Sequence, residues 1–79
     1  MQHVRFTRSA RKHRIGKAHV LAAMADAGEP RRLPAVGDLD VRLVWIGRDN
    51  RGIELEVIGV ETDDYLLIIH VMPYSYRRT

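Results

Sequence analysis

Cysteine is absent from this 79-residue chain, and with it go disulfide staples, thiolate metal sites and any cysteine nucleophile. No stretch approaches the roughly 18 to 20 consecutive apolar residues of a membrane-spanning helix. The start has neither the apolar segment nor the cleavage site of a signal peptide. A cytoplasmic location without membrane attachment is therefore expected. Also missing are a phosphate-binding glycine loop and a helix with two histidines four apart, so neither a cofactor nor a metal is expected. His13 and His19 would sit about 120° apart around a helix and could share a metal only across a break in it. Ser9 and Ser75 lie in no recognisable nucleophile turn.

Acidic residues are the most informative absence. The first nineteen positions contain none, yet they hold Arg5, Arg8, Arg11, Lys12, Arg14 and Lys17, with His3, His13 and His19 among them. Over the whole chain thirteen Lys and Arg stand against ten Asp and Glu, giving a net charge of +3 and a pI near 9.8. A one-sided cluster of this kind is an electrostatic footprint for a polyanion. A solvated helix surface rich in arginine is the plainer alternative.

At this length residues 1–79 make one domain, which buries only roughly 60 to 65% of its unfolded surface in one thin core. His3 to Phe6 has Val4 and Phe6 on one side and Arg5 on the other, as in a short strand. From Thr7 or Ser9 to Ala27 the composition is helical, but Gly16 in the middle costs about 1 kcal/mol relative to Ala. Two helices meeting at His13 to Gly16 are expected. The second should bury Ala18, Leu21, Ala22 and Ala25, with Val20 and Met24 widening the arc, and should end at Gly28, ahead of Pro30. Glu29 to Asp40 reads as a loop.

Val41 to Gly47, Ile53 to Val60 and Tyr65 to Met72 read as three strands. The turn residues Arg48 to Gly52 and Thr62 to Asp64 should join them as consecutive hairpins. The last strand lacks alternation, which suits an interior strand with both faces at least partly covered. The N-terminal strand could flank it, and Pro73 should end the sheet. Trp45 is a core residue. The expected fold is α+β, in the order β-α-α-β-β-β, with the helices on one face of an antiparallel sheet.

Cleaving RNA without a metal requires taking a proton from the 2′-OH, stabilising a phosphorane and protonating the departing 5′-oxygen. Arg, Lys, His and Tyr do this chemistry, and they concentrate in the basic segment and in the tail His70, Tyr74, Tyr76, Arg77 and Arg78. His70 interrupts an apolar strand, and imidazole changes charge between about pH 5 and 8, so it is a candidate acid or base. A half-buried histidine held by one hydrogen bond would look the same. Tyr74 and Tyr76 could stack on bases or pack a sheet edge, and Arg77 and Arg78 could clamp phosphate or hang in solvent.

The order of short motifs resembles the BrnT family of toxins. The likeness starts at Arg11-Lys12-His13, with Ile15 and Gly16, which is similar to that family's Arg-Lys-His-Gly-Ile/Val-Ser/Thr stretch between helices, and runs on to Glu29-Pro30. It continues through Asp40-Val41-Arg42, then Ile46-Gly47-Arg48-Asp49 with Gly52, Asp64, Pro73 and the pair Arg77-Arg78. Arg14 stands where the family commonly has glycine, Val71-Met72-Pro73 replaces a Ser-Ala-Arg element, and the C-terminal helix is reduced to Tyr74 through Thr79. The resemblance implies a RelE-like fold and the toxin of a type II toxin–antitoxin system, a metal-independent endoribonuclease that cuts mRNA, on the ribosome or free, and inhibits translation. It implies a cognate antitoxin that masks the basic face.

The candidate catalytic set is Lys12, His13, Arg42, His70, Tyr76 and Arg77, and the candidate RNA-binding set is Arg8, Arg11, Arg14, Lys17, Tyr74 and Arg78. Two rivals use the same cations: a non-catalytic RNA-binding or translation-associated module, and a protein-interaction domain whose basic face meets an acidic partner. A homodimer is compatible with all three.

Overall fold

The computed structural model describes residues 3–38 and 40–77. Five strands form one sheet: β1 His3–Phe6, β2 Arg31–Leu33, β3 Arg42–Arg48, β4 Glu54–Glu61 and β5 Tyr65–Pro73. Their spatial order is β1-β5-β4-β3-β2. The three long strands form the expected meander, and their bounds fall within one residue of the sequence reading. β5 is interior, ends at Pro73 and is flanked by β1. That last pairing is parallel, because the chain between β1 and the meander crosses over the sheet before returning, so the sheet is mixed rather than antiparallel.

Only one α-helix forms, α1 from Lys17 to Ala27. In place of the expected first helix there is a single 3-10 turn, Ser9–Arg11. The physical reason is visible in the residues: between Ser9 and Gly16 only Ala10 and Ile15 are apolar, so a regular helix would have no stripe to bury. The turn is instead pinned by Ala10, 2% exposed, by the Ala10 amide donating to Thr7 Oγ1, and by Ser9 Oγ donating to the Ile69 carbonyl.

The buried face of α1 also differs from expectation. Val20 and Ala23 are fully buried, Met24 and Ala27 pack beside them, and Leu21 is 46% exposed. Apolar residues surround this helix, so two stripes compete, and close approach decides between them. A Cβ on Gly47 of β3 would lie 2.2 Å from the Ala23 carbonyl oxygen, so the backbones touch where Ala23 and Ala27 are small. The helix ends at Gly28, with φ of 76°.

β2 lies within the expected loop. Pro30 and Pro34 bracket its three residues, confining it to a short edge strand beside β3. The β3–β4 turn is organised by Asp49, which accepts from the Arg51 and Ile53 amides at 2.8 and 3.0 Å. Thr62 closes the next turn by accepting from the Tyr65 amide and donating to the Tyr65 carbonyl.

Leu43, Trp45, Leu55, Val57, Leu66, Ile68 and Val71 form the core with Ala10, Val20 and Ala23, all between α1, the 3-10 turn and one face of the sheet. The opposite face carries no α-helix among the described residues. None of the described helices is long and apolar enough to cross a membrane.

Candidate functional site

Alternation along β4 sends Leu55 and Val57 toward α1 and Glu54, Glu56 and Ile58 toward the uncovered face. A glutamate there should meet water, yet Glu56 is only 3% exposed. Ile46 of β3 and Met72 of β5 flank it as cross-strand partners. After Pro73 the chain coils into a 3-10 turn, Tyr74–Arg77, which carries Arg77 back over the carboxylate. Arg77 Nε–H donates to Glu56 Oε2, and His70 Nε2 lies 3.1 Å from Glu56 Oε1. The hydrogen bond to Glu56 and its negative charge raise the Arg77 guanidinium above its already high ordinary pKa.

Burying a carboxylate costs several kcal/mol, and its ion pairs commonly do no better than an apolar residue of the same size. Glu56 nevertheless holds two partners that remain accessible, with 34% of the His70 side chain and 54% of the Arg77 side chain exposed. One carboxylate thus fixes an imidazole and a guanidinium side by side. Beside them is a concavity of about 320 Å³, with Val44, Ile46 and Ile58 on its floor, Tyr74 on its wall, and Arg31 and Arg77 on its rim.

The basic segment lies at the adjoining edge. Arg8, Arg11, Lys12, Arg14 and Lys17 are all exposed, and none forms an ion pair among the described residues. Lys17 Nζ sits 5.5 Å from the centre of the Phe6 ring, within cation–π range. Arg11, Arg14 and Lys17 surround a depression over Phe6 and Ile15. Arg14 has φ of 56°, a left-handed backbone that a glycine would adopt without penalty. His13 meets Tyr76 edge to face, with ring centres 5.4 Å apart. Because Tyr76 precedes Arg77, the second 3-10 turn links the basic segment to the Glu56 cluster.

Of the catalytic candidates, His70 and Arg77 therefore share a carboxylate, His13 and Tyr76 touch, and Lys12 neighbours His13 in the chain. Arg42 stands apart: it shares the open face but lies four residues before Ile46 on β3, about 13 Å along the strand. Its Nε is buried without a hydrogen-bond partner. Tyr74 lines the concavity, and Arg78 lies outside the described residues. Sequence reasoning missed Glu56, the hub. Its only signal was a carboxylate in a strand next to one that carries a histidine.

A second polar cluster joins α1 to the β3–β4 turn. Asp49, its side chain fully buried, accepts from the Arg51 guanidinium at 2.7 and 3.0 Å. His19 Nδ1 contacts Asn50 Oδ1, and Asp26 accepts from the Arg48 amide at 2.8 Å. Burial alone would push the Asp49 carboxyl up, but the Arg51 guanidinium and the Ile53 and Arg51 amides outweigh it and hold the carboxyl below its ordinary range. These contacts fix a hairpin end to a helix. No group of three or more His, Cys, Asp or Glu among the described residues is arranged to hold a metal ion.

No family model, curated protein or solved structure matches the chain.

Proposed function

We propose that this chain is a metal-independent endoribonuclease acting on single-stranded mRNA, the toxin of a type II toxin–antitoxin system with a divergent RelE-like, BrnT-like domain. The observation that carries the reading is Glu56, buried on the open sheet face and bridging an accessible His70 and an accessible Arg77. In this mechanism Arg77 faces the non-bridging oxygens and offsets the charge that builds on the phosphorane. His70 gives its proton to the 5′-oxygen as the P–O bond breaks. His13, held against Tyr76, accepts the proton of the attacking 2′-OH, which leaves a 2′,3′-cyclic phosphate and a free 5′-hydroxyl. Glu56 is a positioning residue, since both its oxygens are engaged. The positive φ of Arg14, where the resembled family commonly has glycine, supports the likeness at the level of backbone.

The test is cleavage of a short RNA by purified protein in EDTA, free and on ribosomes. Removing a positioned proton-transfer group typically costs 10²- to 10⁴-fold in rate. His70→Gln is expected to lose cleavage by that factor with its fold and RNA affinity nearly intact, while Arg77→Ala weakens both. Unchanged cleavage by folded His70→Gln removes His70 from the mechanism.

The exposed cations of the basic segment, which form no ion pair among the described residues, favour a second reading, a non-catalytic RNA-binding module. Five phosphate contacts to single-stranded RNA would give a slope of about −3.5 in log affinity against log salt. Salt-dependent binding with no cleavage by the wild type selects this reading, and a flat salt response removes both. The ribonuclease reading also entails an antitoxin partner, checked by a short adjacent reading frame encoding a ribbon-helix-helix or helix-turn-helix protein.

A further inference from the structure

We infer that the concavity beside Glu56 is a nucleobase pocket: one base of a single-stranded RNA lies against Tyr74 over Val44, Ile46 and Ile58, and its flanking phosphates meet Arg31 and Arg77. The inference rests on the ribonuclease reading for its polymer and adds where that polymer is gripped. At about 320 Å³ the space is at the lower end of small-ligand sites, the scale of one planar group. Its floor is aliphatic, and Ile46 is left 39% exposed there, so the occupant gains by covering a bare apolar surface. Its rim is cationic, with Arg31 exposed and Arg77 more than half exposed, so the occupant is also anionic.

A flat apolar body between negative groups is a nucleotide within a chain. An acidic peptide would satisfy the arginines and leave the floor bare. A second protein would need roughly 800 Å² of contact per partner, far more than this hollow offers. The one acid in the hollow, Glu56, has both oxygens occupied by His70 and Arg77, which blunts its repulsion of phosphate. Single-stranded RNA is commonly read in this way, by splayed bases set against aromatic side chains.

The experiment uses the full chain and a short 2′-O-methyl RNA, which lacks the 2′-OH that would attack the phosphate. Methyl NMR signals of Val44, Ile46 and Ile58 are expected to shift on titration. Tyr74→Ala and Ile46→Asp, each checked for its fold by circular dichroism, should weaken binding about 5- to 100-fold, the usual range for losing one base–aromatic contact. Removing single bases in turn to leave abasic sites should, at one position, cause a loss of the same size. If no abasic substitution weakens binding, or if the methyl signals stay in place while cleavage of unmodified RNA proceeds, the pocket is overturned and the ribonuclease is not. Base-dependent binding without cleavage of unmodified RNA supports the pocket and overturns the ribonuclease. Methyl shifts that depend on protein concentration alone mark a self-association face and overturn the pocket.

Discussion

The two faces of the sheet are made by the same strands and behave as different materials. Toward α1, Leu43 and Trp45 of β3, Leu55 and Val57 of β4, and Leu66, Ile68 and Val71 of β5 are at most 7% exposed. On the other side Val44, Ile58 and His70 are half-buried, Ile46 is exposed, and the one strongly buried residue on β4 is a glutamate. A chain this short has one helix to cover two faces, so one face carries the core and the other is left accessible. Stability should be concentrated on the first and tolerance on the second, except where Glu56 concentrates charge.

Substitutions can break or sharpen that contrast. The largest effect is expected from Gly47→Ala, whose new methyl group would meet the backbone of α1 at Ala23 and Ala27. Helix and sheet must separate there, at a cost above the roughly 1 to 3 kcal/mol usual for overpacking. Loss of a cooperative melt in circular dichroism is the expected result, and a normal melt would disprove the close approach. Leu55→Ala on the covered face should cost about 2 to 5 kcal/mol in urea unfolding. A cost below about 1 kcal/mol would mean that Leu55 is not part of the core.

Acid separates the turn cluster from both faces. The Asp49 carboxyl titrates below its ordinary value in the folded state, so its contribution is present above the ordinary carboxylate pKa of about 3.9 and is lost as pH falls through the lower folded value. Asp49→Asn should lower the melting temperature at neutral pH and flatten its fall below about pH 4. An unaltered profile would mean that the Arg51 pairing contributes nothing. The smallest effect is expected from Ile46→Thr on the open face, within about 0.5 kcal/mol of the wild type. A large loss there would show that the open face is also part of the core.

Much of the fold was legible in local pattern. Asn, Gly, Asp and Thr at the two reversals and the apolar runs between them placed β3, β4 and β5, and Gly28 placed the end of α1. β2 was hidden because three residues between prolines carry no periodicity. The facing of α1 was hidden because its apolar residues run all round, and the choice fell to contact with Gly47. In the candidate site, His70, Arg77, His13 and Tyr76 were visible as chemistry-bearing residues, and the structure pairs them in twos. Arg42 was read into the same set on residue type alone, and it stands at the far end of the face.

The sequence by itself determined the α+β class, the meander, the interior place of β5 and the basic N-terminal segment, because turn chemistry, strand propensity and charge act over a few neighbouring residues. Only the tertiary structure decided which sheet face is covered and that Glu56 is buried. Its partners stand 14 and 21 residues further along the chain. Alternation assigns a side chain to a face, but whether that face meets water depends on what the chain later lays over it.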